Sequence, residues 1–413
     1  MSVKFKQHKF TQRKKLPYNK LDGKIIALTE RVRFKLALFG AAMMTILGSV
    51  LVSPALPGIA KEFSTTPHIE LLTGLTLTIP ALFMIFFSPI AGALMDKFGK
   101  LKFLYPAMIL WIFAGVSGAW CADIYTLLLS RCAFGIASAF ITTGANALLG
   151  DYYAVGEERR DRALSLQGFV MALGGAVLTI IAGYLTSFSW RYAFYVYASG
   201  LFVFVFCLFY LFEPRVAKNK ATQNAANAAK KVSYKDYASI YFAGFFVVMI
   251  FYLAAVQFPH YIEDTLGLNP KFIGFAMAST TLSHAVVAYL YKDIVKFLSV
   301  KQIYVLGFAL QAFGFLLVFL VDDFIVAIVS LAIFGAVGGL ILTNNSAYLF
   351  QKAPQSLRAR AYGGLASCVF LGQFISPIIT TPMVSNFGLK AEFGIWVVII
   401  LLVSLIYARL NCR

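Results

Sequence analysis

Charged residues are what this sequence has least of. They fill 13% of its 413 positions, against about 25% in an ordinary soluble domain, so a water-soluble globule is excluded. Acid is the scarcer sign, with 18 Asp and Glu against 36 Lys and Arg. No carboxylate falls deep in an apolar run: Glu70, Asp123, Glu263 and Asp293 all stand at run edges. The five cysteines (Cys121, Cys132, Cys207, Cys368, Cys412) lie in or beside apolar runs without ligand spacing, so they read as packing residues and not as a metal or disulfide framework. There is no glycine-rich nucleotide loop and no nucleophile–base constellation. These gaps argue against an enzyme, a cofactor, a metal and ATP-driven pumping.

What fills the chain is apolar: 60% of residues are hydrophobic and mean hydropathy is +0.77. Long runs without strict alternation favour membrane helices over a barrel. We read twelve spans, near 34–57, 70–95, 103–121, 124–149, 163–187, 191–212, 238–262, 270–291, 302–321, 324–349, 361–385 and 391–410. At about 1.5 Å per residue, twenty residues cross a core of about 30 Å. The first run, from Phe34, is longer than a signal-peptide core, so no cleavable leader is expected. The chain divides into a basic N-terminal segment (1–33), two six-helix halves (34–213 and 238–413) and a polar linker (214–237). A short surface helix is expected over Leu21–Arg33.

Placing both termini on the cytoplasmic side puts 31 of the 36 basic residues on that face. Only Lys61, Arg191, Lys271 and Lys390 fall in the opposite loops, and Arg131 alone lies within a span. This asymmetry orients the chain and assigns the net charge of +18 to anionic lipid headgroups. Nucleic acid is not an expected partner, because no folded soluble module carries the basic residues.

The halves repeat. Arg162-Ala163 and Leu173-Gly174 recur 198 residues later as Arg360-Ala361 and Leu371-Gly372, and Phe134-Gly135 recurs 200 later as Phe334-Gly335. Asp96 and Pro57 match Asp293 and Pro259 at similar offsets. A duplicated six-helix unit with a midplane site suits alternating access.

One short stretch is more specific. Gly92-Ala-Leu94-Met-Asp96-Lys97-Phe-Gly99-Lys100-Leu-Lys102 sits between the second and third runs. It closely resembles the signature loop between helices 2 and 3 of the major facilitator superfamily. Leu128-x-x-Arg131-x-x-Phe134-Gly135, the Asp151–Ala163 segment and Trp190-Arg191 resemble further motifs of its twelve-helix drug:proton antiporter group. The chain departs from that group where Leu178-Thr179 stands at the usual Gly-Pro of helix 5, and where the first span lacks a carboxylate. The resemblance implies an all-α membrane protein of twelve transmembrane helices in two pseudo-symmetric bundles. It also implies a monomer, no enzymatic activity, and a conformational switch made of Gly92, Asp96, Lys97, Gly99 and Lys100.

Candidate site residues follow from polarity inside the spans. Arg131 costs about 2.5–3.5 kcal/mol at a span centre, so it faces protein; it either presents a charge to a cavity or ties helices together through carbonyls. Thr45, Ser49 and Ser53 fall at i, i+4 and i+8 on one face of the first span, as a cavity wall or as a helix contact. Gln257 and, toward the cytoplasmic ends, Asn146, Asn344 and Asn345 are further candidates for the cavity or its inner gate. His284, in a polar neighbourhood, is the first candidate to carry a coupled proton, with Glu263 and Asp123 at edges; a packing histidine is the alternative. The expected function is export of small amphipathic molecules or drugs against proton entry, in a bacterial inner membrane. The alternative is import of an organic anion at Arg131.

Overall fold

The computed structural model describes residues 27–153, 157–213, 237–354 and 357–409. The expected linker lies outside them except for Tyr237, as do most of the N-terminal segment and most of its expected surface helix. Among the described residues all regular structure is helical, and eleven helices are long and apolar enough to cross a membrane. The protein is an integral, multi-pass, all-α membrane protein.

The principal helices are α1 (Val32–Val50), α2 (Ile69–Phe98), α3 (Leu101–Ser117), α4 (Ile124–Tyr152), α5 (Glu157–Thr186) and α6 (Gly200–Tyr210) in the first half. In the second they are α7 (Ala238–His260), α8 (Pro270–Ile294), α9 (Val300–Leu320), α10 (Phe324–Lys352), α11 (Arg358–Phe387) and α12 (Leu389–Arg409). Their ends follow local chemistry. Asp123 and Asp323 cap α4 and α10, each accepting two backbone N–H groups. Ser299 and Gln302 form a capping box on α9. Gly99 (φ 101°) ends α2 in a conformation that a β-carbon disfavours.

Several runs are less regular than expected: the third ends in a 3₁₀ turn, Gly118–Trp120, and the seventh passes into a π-helix, Tyr261–Thr265, but two depart further. The first does not continue as one helix: α1 stops at Val50, a 3₁₀ turn covers Ser53–Ala55 and a short helix follows over Leu56–Glu62. Pro54 and Pro57 lack N–H groups and suit these new helix starts. The sixth run opens as a 3₁₀ helix, Trp190–Ser199, before α6.

Packing falls into two similar sets. In the first, α1 meets α4, α5 and α6, while α4 meets α2 and α3. In the second, α7 meets α10 and α11, and α10 meets α8 and α9. The repeated Phe-Gly pairs mark two equivalent close crossings, α2 with α4 and α8 with α10. A β-carbon on Gly135 would stand 2.7 Å from the Pro80 carbonyl, and one on Gly335 2.0 Å from that of Thr280. The sets touch chiefly where α5 meets α8 and α2 meets α11.

Candidate functional site

The two ends of this assembly differ. We call the end that carries the α2–α3, α4–α5, α8–α9 and α10–α11 connections the basic end, and the other the far end. At the far end the halves are locked. Gly183 and Gly274 bring α5 and α8 together so closely that a β-carbon on Gly183 would lie 2.6 Å from Gly274 Cα. At the matching place in α2, a β-carbon on Gly74 would lie 2.8 Å from Pro377 of α11. Ser53 Oγ donates to the Ala255 carbonyl at 2.5 Å. Lys61 Nζ reaches Glu263 at 2.7 Å and Asp264 at 3.2 Å, and Asp264 also meets His260 Nδ1 at 3.2 Å. The Glu263 hydrogen bond raises the Lys61 pKa against the opposing effect of burial. Ser53–Ala255 and Lys61–Glu263 both join residues 202 apart, the offset that relates Pro57 to Pro259. The repeat therefore places equivalent positions face to face, with opposite charges where they form the latch.

Toward the basic end the halves part. A β-carbon on Gly150, Gly168 or Gly363 would meet nothing within 4 Å. Between α5 and α8 lies a cleft of about 730 Å³. Its walls are mainly apolar, with Phe169 and Leu173 from α5 facing Leu282 and Val286 from α8, while His284 with Ser165 and Thr281 supplies polar points. His284 is half-buried and its side chain has no hydrogen bond among the described residues. Gly338 of α10 gives it room: a β-carbon there would come within 3.2 Å of His284 Nδ1.

The other expected site residues are placed differently. Arg131 does not face a cavity. It is 1% exposed, its Nη2 donates to the Ala114 and Gly115 carbonyls of α3 at 2.5 and 3.1 Å, and its guanidinium lies over the rings of Phe134, Phe194 and Tyr197. Asn344 and Asn345 are fully buried between helices, accepting from Tyr291 and Tyr304, and so do not line an inner gate; Asn146 is exposed. The Thr45–Ser49–Ser53 stripe does not hold, because α1 ends before Ser53. Thr45 bonds its own helix at Ala42, Ser53 belongs to the far-end lock, and the Ser49 side chain lies outside the described residues. Gln257 lines a second, far-end cavity. Asp123 is a helix cap, its carboxyl held below the usual range first by the Thr126 N–H. Glu263 is a latch residue.

In the switch loop, Lys100 Nζ pairs with Asp151, and the Lys100 and Leu101 N–H groups donate to the two oxygens of Glu213 at 2.8 Å. Glu213 was not singled out in the sequence, since a residue 113 positions away leaves no local signal. Asp96 and Lys97 are exposed, and Gly92 has space, with Thr143 Cγ2 3.8 Å from a β-carbon placed there. Glu392 was also missed. It is fully buried in the first turn of α12 and accepts from Trp396 Nε1 at 3.2 Å; its nearness to the run edge concealed it.

Comparison with known proteins agrees with this architecture. The family model of the Major Facilitator Superfamily matches residues 38–239 and 240–411. The chain is 24% identical over 360 residues to a multidrug efflux protein, YfmO, of Bacillus subtilis (86% of this chain, 87% of the relative). It is 23% identical over 365 residues to the class B tetracycline resistance protein of Escherichia coli (86% and 90%). Among solved structures, the nucleoside transporter NupG aligns with TM-score 0.77 at 10% identity, covering 92% of this chain and 99% of that one. An inward-facing, unoccupied bacterial homologue of the human lysosomal transporter Spinster aligns with TM-score 0.72 at 18% identity (95% and 97%). The last two likenesses concern the fold.

Proposed function

Because this chain belongs to the Major Facilitator Superfamily, a family of transporters and not of enzymes, we propose that it exports small amphipathic molecules by alternating access, coupled to proton entry. The observation that carries this reading is the asymmetric closure: a far end locked by Ser53, Lys61 and the glycine crossings, and an apolar cleft open toward the basic end. Its size lies within the ordinary range of about 300–1,000 Å³ for small-ligand sites, and its lining suits a ligand with a large apolar body and one polar group. The efflux and tetracycline-resistance relatives support the same direction of transport. The positive-inside rule supports a cytoplasmic basic end, and in this reading the protein lies in a bacterial inner membrane and this state receives substrate from inside the cell.

His284 is the proton carrier in this reading. It lines the cleft itself, and imidazole is the side chain whose unperturbed charge change falls near neutral pH. In the other state the switch loop closes the basic end. Anion import at Arg131 lacks a site, because the guanidinium is sealed against α3 and aromatic rings.

Proteoliposomes with an acid lumen test the proposal. Ethidium or tetracycline accumulates in the lumen, and accumulation collapses when an ionophore dissipates the pH gradient. His284→Ala retains binding but loses gradient-driven accumulation. Substrate that binds wild-type protein yet evokes no proton movement overturns the coupling.

A further inference from the structure

A second cavity, of about 480 Å³, lies at the far end beside the latch. Both halves wall it: Lys61 and Glu70 from the first; Gln257, His260, Asp264 and Thr381 from the second. Lys61 and His260 both reach Asp264 at 3.2 Å, but other polar groups of the lining are left over. Thr381 is 8% exposed and its hydroxyl has no hydrogen bond among the described residues. Gln257 is 5% exposed; its amide nitrogen reaches only Thr380 Oγ1, at 3.5 Å, and its carbonyl oxygen accepts nothing among the described residues. Both side chains line the cavity, so these unpaired atoms are available to an occupant.

The charges around the cavity give the sign of that partner. Two carboxylates line it, Glu70 and Asp264, against one permanent cation, Lys61. Glu70 has no ion-pair partner among the described residues. Lys61 sits closer to Glu263, which does not line the cavity, than to Asp264 (2.7 against 3.2 Å), and its side chain is 59% exposed. Its ammonium is shared between two carboxylates at a solvent-exposed position, and the Glu70 carboxylate and Gln257 carbonyl are acceptors it does not use.

We infer that this cavity is a second ligand site, taking a compact organic ammonium ion in place of the Lys61 side chain. The N–H groups of the ligand donate to Asp264 and Glu70, the Gln257 carbonyl and Thr381 hydroxyl are further acceptors, and Val256 supports its apolar body. By competing with Lys61 for Asp264, the occupant loosens an ion pair between the halves. The site stands at the opposite end from the α5–α8 cleft and does not depend on what that cleft carries.

The test is calorimetric titration of benzylamine, protonated at pH 7, into the full chain in detergent. Lys61→Gln removes the competing ammonium and tightens binding by about tenfold, while the Glu70→Gln/Asp264→Asn pair weakens it by about tenfold, each a change of ~1.4 kcal/mol. Uncharged benzyl alcohol does not compete. Opposite shifts from the two variants cannot arise from a general loss of fold. No benzylamine binding, equal competition by benzyl alcohol, or a Lys61→Gln protein that binds no tighter than wild type overturns the site.

Discussion

At the scale of single residues, burial decides which charges are structural. Arg131 has two carbonyl acceptors and three aromatic faces, which offset part of the membrane's cost for its charge inside one bundle, while its Nη1 is buried without a hydrogen bond among the described residues. Arg131→Ala removes one donor from each of two α3 carbonyls, of which Ala114 keeps Ser117 Oγ, and opens a cavity. The expected loss is about 2–4 kcal/mol, read as a lower melting temperature in detergent. Affinity for a cleft ligand, measured per folded molecule, stays unchanged; a selective loss of affinity would return Arg131 to the substrate site. Glu62 gives a pH-dependent counterpart. Its Oε2 accepts from Trp190 Nε1 at 2.7 Å and its Oε1 from Arg191 at 2.6 Å. These contacts, Trp190 first, lower its pKa below the ordinary 4.5. A depressed carboxyl pKa contributes stability that is present above the unfolded value and lost as pH falls through the folded one. The wild-type advantage over Glu62→Gln in thermal unfolding is therefore present at neutral pH and fades below about pH 4.5. An advantage that grows on acidification would contradict the assignment.

At the scale of the element, much was legible, and the limits of what was legible have a physical cause. Apolar runs of membrane-crossing length marked the helices because a lipid-facing helix must be apolar along its length. The recurrence of Phe134-Gly135 as Phe334-Gly335 marked a repeated half, and the structure shows these pairs at equivalent crossings. Spacing failed at Ser53, since a helical stripe assumes a helix that continues, and Pro54 starts a new turn instead. It failed for Asn344 and Asn345 because polarity within a span does not say whether a residue faces a cavity or a neighbouring tyrosine. The α5–α8 crossing was not legible at all: Gly183 and Gly274 belong to different halves, and nothing local to either glycine announces the other. That crossing carries its own prediction. Gly183→Val inserts a branched side chain where a β-carbon already has only 2.6 Å. Since the clash is with backbone, α5 and α8 must separate at the far end. Spin labels placed on the far-end tips of these helices should report a longer distance in the variant than in wild type. An unchanged distance would mean that the helices do not meet there in the membrane.

At the scale of the whole molecule, the informative glycines are those that face nothing. Alternating access requires a second arrangement in which the basic end closes, and the residues that will form that contact are open in this one. Gly363, in the first turns of α11, has no neighbour within 4 Å of where a β-carbon would stand. Gly92 of α2 has one distant contact, and Asp96 beside it is exposed. Because α2 and α11 already touch at the far end, rocking the halves about that contact brings their basic ends together. A large side chain at Gly363 is then harmless to the present state and obstructive to the other, the reverse of Gly183→Val. Gly363→Trp should fold, melt like wild type and bind cleft ligands, yet lose ethidium transport by at least about tenfold, because ~1.4 kcal/mol against the second state suffices for that change. Thiol labelling of a cysteine introduced in the cleft should stay at its open-state rate when substrate is added, whereas wild type slows. Full transport by Gly363→Trp would mean that the basic end closes through some other pair of helices, and would move the switch away from α2 and α11.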